Sequence, residues 1–302
     1  MGRIVSLLPS GTEIVCALGL GDELVAVSHA CDFPAPVVDG LPRVTSSILE
    51  QGLTSAQIDA AVAAAGLASR PLYAVDGALL ASLEPTLIVT QGVCAVCAVT
   101  PQTVEGALSP LDLACQAPVL SLSGEDRLGV QADILALGEA TGRGEAAAKM
   151  VAQMEARWAA VEAARPAAAP RVAMLEWPEP PWFGGHWVPQ QVAAAGGVDV
   201  LGRPGQPSGR TSWEAVVAAD PEVLVVMACG FGLERNAQEG RRVLAEIEGL
   251  AEVTAVKRAQ VWAADANALF SRPTARIVDG AEGLGRIFNG LEPDPAHFVR
   301  LV

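Results

Sequence analysis

Cys94 and Cys97, in the stretch QGVCAVCAVT at 91–100, stand at a spacing that supports three chemistries. A C-x-x-C pair can be a redox couple, half of a metal site, or two thiols in a pocket wall. A redox couple needs its reactive thiol at a helix start, where the dipole lowers the thiol pKa. Here Pro101 and the following QTVEG place the helix after the pair. A structural zinc site needs four Cys or His ligands, and Cys31, His29 and Cys229 are the residues able to complete one. Unpaired thiols also serve as small buried hydrophobes. His186 lies between Gly185 and Trp187. Glycine lets a backbone approach a ligand closely, and an indole offers a flat face; a purely structural histidine fits the same context. Arg203 and Arg210, in GRPGQPSGR (202–210), suit an anionic ligand or plain solvent. No G-x-S-x-G elbow, P-loop or G-x-G-x-x-G turn is present, so nothing in the sequence calls for an enzyme.

These residues must be positioned by the elements around them. RIVSLL (3–8), ELVAVS (23–28), TLIVT (86–90) and APVLSL (117–122) read as strands. GTEIVCALGL, SAQIDAAVAAA (55–65, with Ser55 as N-cap), DGALLASLEP (76–85) and PQTVEGALSPL read as helices between them. From Asp126 to Arg165 no strand is expected, only an Ala-rich helical run interrupted at TGRG (141–144). Alternation resumes with strands RVAMLEW (171–177), EVLVVMA (222–228) and AQVWAAD (259–265). The helices here are expected near 188–195, at 212–220, 236–247 and 272–289. The expectation is an α/β protein: two Rossmann-like lobes with parallel sheets, joined by one long α-helix, with a ligand cleft between the lobes. The boundaries read as 1–124 for the first lobe, 125–166 for the linking helical segment and 167–302 for the second lobe.

The bulk numbers narrow the class. Of 302 residues, 51% are hydrophobic and 18% charged, which excludes disorder. The net charge of −14 argues against nucleic acid and anionic membrane as partners. No run of residues reads as a membrane span, and the N-terminus does not read as a secretion signal, which points to a cytoplasmic protein or a trimmed chain. In a parallel sheet, ligands meet the loops at the C-terminal strand ends. Those loops are PSGTE (9–13), SHACDFP (28–34), QGVCAVC (91–97), WPEPPWFGGHW (177–187), CGFGLE (229–234) and DANALFSRP (265–273). They hold Cys31, Cys94, Cys97 and Cys229, two of the three histidines and three of the six tryptophans.

The motif order sharpens this picture. RIVSLLPSGTEIVCALGL, LEPTLIVTQ, the long helical run, PPWFGGHWVPQQVAAAGGVDVLG, SWEAVVAADPEVLVV and FSRPTARIVDG resemble, over nearly the whole chain, the periplasmic-binding proteins that serve ABC importers of cobalamin, haem and iron–siderophores. The chain looks most similar to the cobalamin-binding branch. That resemblance implies capture of a corrinoid, or a related tetrapyrrole or metal chelate, without catalysis and without a required cofactor. It implies a monomer with a small-molecule ligand and an ABC permease as partners, and an extracytoplasmic location. A binder or sensor on the same fold without an importer is the alternative; a metallochaperone or enzyme using Cys94, Cys97 and Cys229 is a third.

Residue by residue, the resemblance implies ligand contacts from Ser10, Gly11, Gln91, Cys94, Cys97, Trp182, Phe183, His186, Trp187, Phe231, Phe270 and Arg272. Gln91 stands where the better-known cobalamin binders present a tryptophan, whereas Phe270 matches a ligand-facing aromatic. His186 is the candidate axial ligand to a ring-bound metal, with Cys94 and Cys97 as thiolate candidates. In relatives that feed importers, one acidic residue on each lobe docks to the permease. Glu214 matches the second-lobe position; Ala78 occupies the first-lobe position, with Asp76 two residues away.

Overall fold

The computed structural model describes residues 2–50, 52–68, 71–92, 99–108 and 117–302. Two compact units emerge, one of Met1–Gly124 with Gly129–Lys149, the other of Glu125–Leu128 with Met150–Val302. In chain order the first half carries β1 (Ile4–Ser6), α1 (Pro9–Ala17), β2 (Leu24–Val27), α2 (Ala35–Val38), β3 (Thr45–Ser47), α3 (Ser55–Leu67), β4 (Tyr73–Val75), α4 (Gly77–Ser82), β5 (Leu87–Gln91), α5 (Pro101–Leu108) and β6 (Val119–Leu122). Next come α6 (Arg127–Ala140) and the twenty-residue α7 (Gly144–Ala163). The remainder is β7 (Arg171–Pro178), β8 (Pro181–Phe183), α8 (Val188–Ala194), β9 (Val198–Asp199), β10 (Gly209–Arg210), α9 (Trp213–Ala219), β11 (Val223–Val226), α10 (Leu233–Glu246), α11 (Thr254–Lys257), β12 (Val261–Ala264), α12 (Ala266–Leu269), α13 (Ile277–Phe288) and β13 (Phe298–Arg300).

The first unit's main sheet has the order β2-β1-β5-β6, with every pairing parallel. Its inner strands open on continuous apolar residues, Ile4–Val5 in β1 and Leu87–Val89 in β5, because a strand covered on both faces gains nothing from polar alternation. Ile4, Val5, Ile88 and Val89 are all buried, and Val5, Leu7, Ala26, Leu80 and Ile88 share one core. The second unit's sheet runs β10-β8-β7-β11-β12-β13, with β9 also paired to β7. Its heart, β9-β7-β11-β12, is parallel. The edges are antiparallel: β8 and β10 on one side, β13 on the other. All of VLVV in β11 and VWAA in β12 is buried.

The structure departs from the sequence expectation at several points. Ser55 is not the N-cap of α3 but its first, fully buried residue; Thr54 is the cap, completing a reciprocal capping box with Gln57. The small antiparallel sheet of β3 and β4, and the short strands β8, β9, β10 and β13, were not expected. The last long helix begins at Ile277 rather than 272, and α10 begins at Leu233 rather than 236. The helical run divides at residues 141–143, where Gly142 takes a left-handed φ of 68°. Residues 144–149 of α7 belong to the first unit and 150–163 to the second. Within the second unit, Arg157 of α7 bonds Asp279 and Glu282 of α13 at 2.5 and 2.6 Å, and Trp158 is buried beneath the Arg127 guanidinium.

Candidate functional site

The loops after β7, β11 and β12 carry most of the second unit's candidate ligand contacts. Strands β7 and β8 form a hairpin in which Pro178 opposes Pro181 and Trp177 opposes Trp182. Strand β8 in turn pairs with β10, setting Trp182 opposite Arg210 and Phe183 opposite Gly209. Beyond β8 the chain turns through Gly184 and Gly185 to His186, whose φ of 55° is left-handed. That conformation is uncommon for a non-glycine residue. It is held from both sides, since His186 N–H donates to Gln206 O at 2.6 Å and Gly205 N–H donates to His186 O at 3.0 Å. Gly185 is glycine for a reason other than ligand approach. A β-carbon there would lie 2.1 Å from the Ser208 backbone nitrogen, so the close contact is with the chain at 206–208.

The His186 ring is half-buried, and its Nδ1 is buried without a hydrogen-bond partner. Desolvation lowers its pKa below the ordinary 6.5, with Glu125 pulling weakly the other way. The ring is therefore neutral at pH 7, the form in which imidazole binds metal. Below it, α8 is bolted to the loop after β12. Trp187 Nε1 donates to Phe270 O at 2.8 Å, and Gln191 Nε2 donates to Leu269 O and Ile277 O at 2.9 and 2.7 Å. Asp199 anchors the neighbouring turn by accepting from Leu201 and Gly202 N–H; burial raises its pKa.

The aromatic candidates separate into two groups. Trp182 and Phe183 are half-buried and keep surface available. Trp187, Phe231 and Phe270 are only 7%, 6% and 3% exposed. Phe270 packs edge-on against Phe298, with centroids 6.2 Å apart. Phe231 lies against Trp177 at 5.1 Å and beneath the Arg235 guanidinium at 3.7 Å. These three rings thus present little surface of their own. Trp177 and Arg235 were not singled out from the sequence; the signal available was Trp177 closing a strand five residues before Trp182. Arg272 is half-buried in the loop before α13.

In the first unit, Ser10 and Gly11 are buried in the first turn of α1. A β-carbon on Gly11 would lie 2.8 Å from a Val89 methyl, so this glycine lets α1 sit directly on β5. Gln91 ends β5 half-buried. Cys31 is buried, with its sulfur 3.1 Å from Thr12 Oγ1 and 3.2 Å from Ser28 Oγ. His29 uses Nδ1 on Thr45 Oγ1 at 2.7 Å, and its pKa is lowered by desolvation and by Arg43. Both are thus engaged locally. Cys94 and Cys97 lie outside the described residues. Among the described residues no group of three or more His, Cys, Asp or Glu is arranged to hold a metal ion. Asp76 is exposed and caps α4, accepting from Leu79 N–H at 2.9 Å; Ala78 beside it is exposed. Glu214 is exposed in the first turn of α9, where its own backbone N–H and Ser212 lower its pKa.

Residues 80–268 match the family described as periplasmic binding protein. The chain belongs to that family. Periplasmic binding proteins bind solutes rather than transform them, and among the described residues no helix is long and apolar enough to cross a membrane. A vitamin B12-binding protein of Vibrio cholerae serotype O1 is 26% identical over 283 residues, covering 93% of this chain and 86% of the relative. Among solved structures, the periplasmic vitamin B12 binding protein of Vibrio cholerae superposes with a TM-score of 0.68 at 24% identity, covering 95% of this chain and 96% of the other. The periplasmic heme binding protein of the same organism gives 0.70 at 21%, covering 97% and 99%. An apo periplasmic heme-binding protein from Roseiflexus gives 0.69 at 23%, covering 96% and 98%. These likenesses extend the periplasmic binding protein fold over both units.

Proposed function

We propose that this protein captures a cobalamin-like corrinoid, or a related tetrapyrrole or metal chelate, and delivers it to an ABC importer. One observation carries the reading beyond the family. The loop 182–187 carries a neutral imidazole with an unpartnered Nδ1, its ring 5.8 Å from that of Trp187, in a stretch that also holds the half-buried Trp182 and Phe183. A flat macrocycle needs an apolar, aromatic wall with few polar groups, and a metal at its centre takes an axial nitrogen. Trp182, Phe183, His186 and Arg272 are the proposed contacts of the second unit, backed by Trp187, Phe231 and Phe270. Ser10, Gly11, Gln91, Cys94 and Cys97 are those proposed for the first. Spectral titration with hydroxocobalamin and haem tests the axial role. The wild type shifts the visible bands, His186→Ala or Cys94→Ser loses that shift, and unchanged spectra in both variants remove axial ligation from the account.

Glu214 and Asp76 are the proposed contacts with the permease. A second reading, binding without an importer, is favoured by Ala78 at the first docking position and by the use of Asp76 as a helix cap. Stimulation of a reconstituted transporter's ATP hydrolysis separates the two. Importer delivery predicts that Glu214→Lys reverses a favourable charge contact and abolishes stimulation; no stimulation even by the wild type favours the second reading.

A further inference from the structure

We propose that Gln191 is a positioning residue for solute binding: without touching the solute, it fixes the loop 270–276 that carries the proposed contact Arg272. This rests on the macrocycle reading above and adds to it a residue on which affinity depends from inside the core. Trp187 and Gln191 stand four residues apart at the start of α8, so their side chains lie on one face of the helix. Three N–H groups leave that face. The Trp187 indole donates to Phe270 O at 2.8 Å. The Gln191 amide donates to Leu269 O at 2.9 Å and to Ile277 O at 2.7 Å. Leu269 ends α12 and Ile277 begins α13, so one amide grips both ends of the loop between them.

The amide does more than fill space. Gln191 is fully buried at 0% exposure, and its Oε1 is buried without a partner. An apolar side chain of equal length would occupy the same volume and strand no acceptor. What the amide adds is direction at two carbonyls, and a polar group kept in an apolar core is expected where function needs it. Gly280 on α13 makes room for the grip. A β-carbon there would lie 2.5 Å from Gln191 Nε2 and 2.7 Å from Leu269 O. The loop so held follows β12, at the C-terminal ends of parallel strands, where such sheets meet ligands. Ser271, Arg272 and Pro273 within it are half-buried and keep surface available. Trp187 directly follows His186, so the imidazole and the loop share one anchor. Holding a contact loop in its bound shape lowers the ordering cost of binding.

Calorimetric titration tests this, the probe being whichever of cobalamin, cobinamide and haem binds the wild type most tightly. Gln191→Met keeps the length of the side chain and removes both donations together with the stranded Oε1. It is expected to weaken binding about tenfold, measured well below its Tm. Leu250→Ala, in a core cluster that includes none of the loop residues, supplies the comparison: it lowers Tm and leaves affinity within about twofold of wild type. Arg272→Gln is expected to cost less affinity in Gln191→Met than in the wild type, because its loop is no longer held. If Gln191→Met does not fold, Trp187→Phe, which removes the donation to Phe270 O, is judged by the same comparison. Three results overturn the positioning role and leave macrocycle binding intact: affinity of Gln191→Met within about twofold of wild type, losses that track Tm alike in Gln191→Met and Leu250→Ala, or an equal effect of Arg272→Gln in both backgrounds. If the wild type binds none of the three probes, the macrocycle reading falls and the positioning role with it.

Discussion

At the residue scale, His186 combines a left-handed backbone, a buried Nδ1 without a partner and a depressed pKa. Such combinations cost stability and are kept where surrounding structure over-determines them, often at functional sites. The depressed pKa has a consequence for folding. An unfolded chain protonates this ring near 6.5, while the folded chain resists protonation until a lower pH. Its contribution to stability is therefore intact above about 6.5 and declines as pH falls through that value toward the folded pKa. Denaturant melts between pH 7.5 and 5 should show stability falling less steeply in His186→Ala, with the slope from His29 remaining. An identical slope in the variant would contradict the burial of the ring. In the ligand complex, axial coordination by this neutral imidazole should be independent of pH from 7 to 8.

At the element scale, the site depends on two chain segments pressed together without side chains between them. Gly185 has no room for a β-carbon against residues 206–208. Gly185→Ala must push the backbone apart, at a cost of about 1–3 kcal/mol, and breaks the grip on His186 from Gln206 and Gly205. The expected result is a lower Tm together with lost ligand binding; a variant binding as tightly as the wild type would detach this turn from the site. The central strands that aim these loops were legible in the sequence, because RVAMLEW, EVLVVMA and AQVWAAD are apolar runs long enough to register. Strands β8 and β10 were not, since PWF follows Pro178 and Pro180 and runs straight into Gly184 and Gly185, and Gly209–Arg210 is a pair of residues in a loop-like stretch. Their pairing is tertiary, and it creates the Arg210–Trp182–Trp177 register that no local pattern announces. Thr54 and Ser55 are both good caps by type, and only the packing that buries Ser55 decides between them. Phe231 and Phe270 were legible as loop aromatics; that they turn inward depends on Arg235 and Phe298, which lie outside their own loops or elements.

At the scale of the whole molecule, family membership and a full-length fold match leave the ligand class as the central claim. An acidic chain with a small set of arginines beside aromatic rings is suited to a large, mostly apolar solute carrying little charge. Calorimetric titration of the intact protein with cobalamin, cobinamide and haem under one buffer tests this most directly. The account predicts one-to-one binding of at least one of them at micromolar affinity or tighter, about −8 kcal/mol, with a negative heat-capacity change from apolar burial. The absence of binding to all three at concentrations well above that range would contradict it.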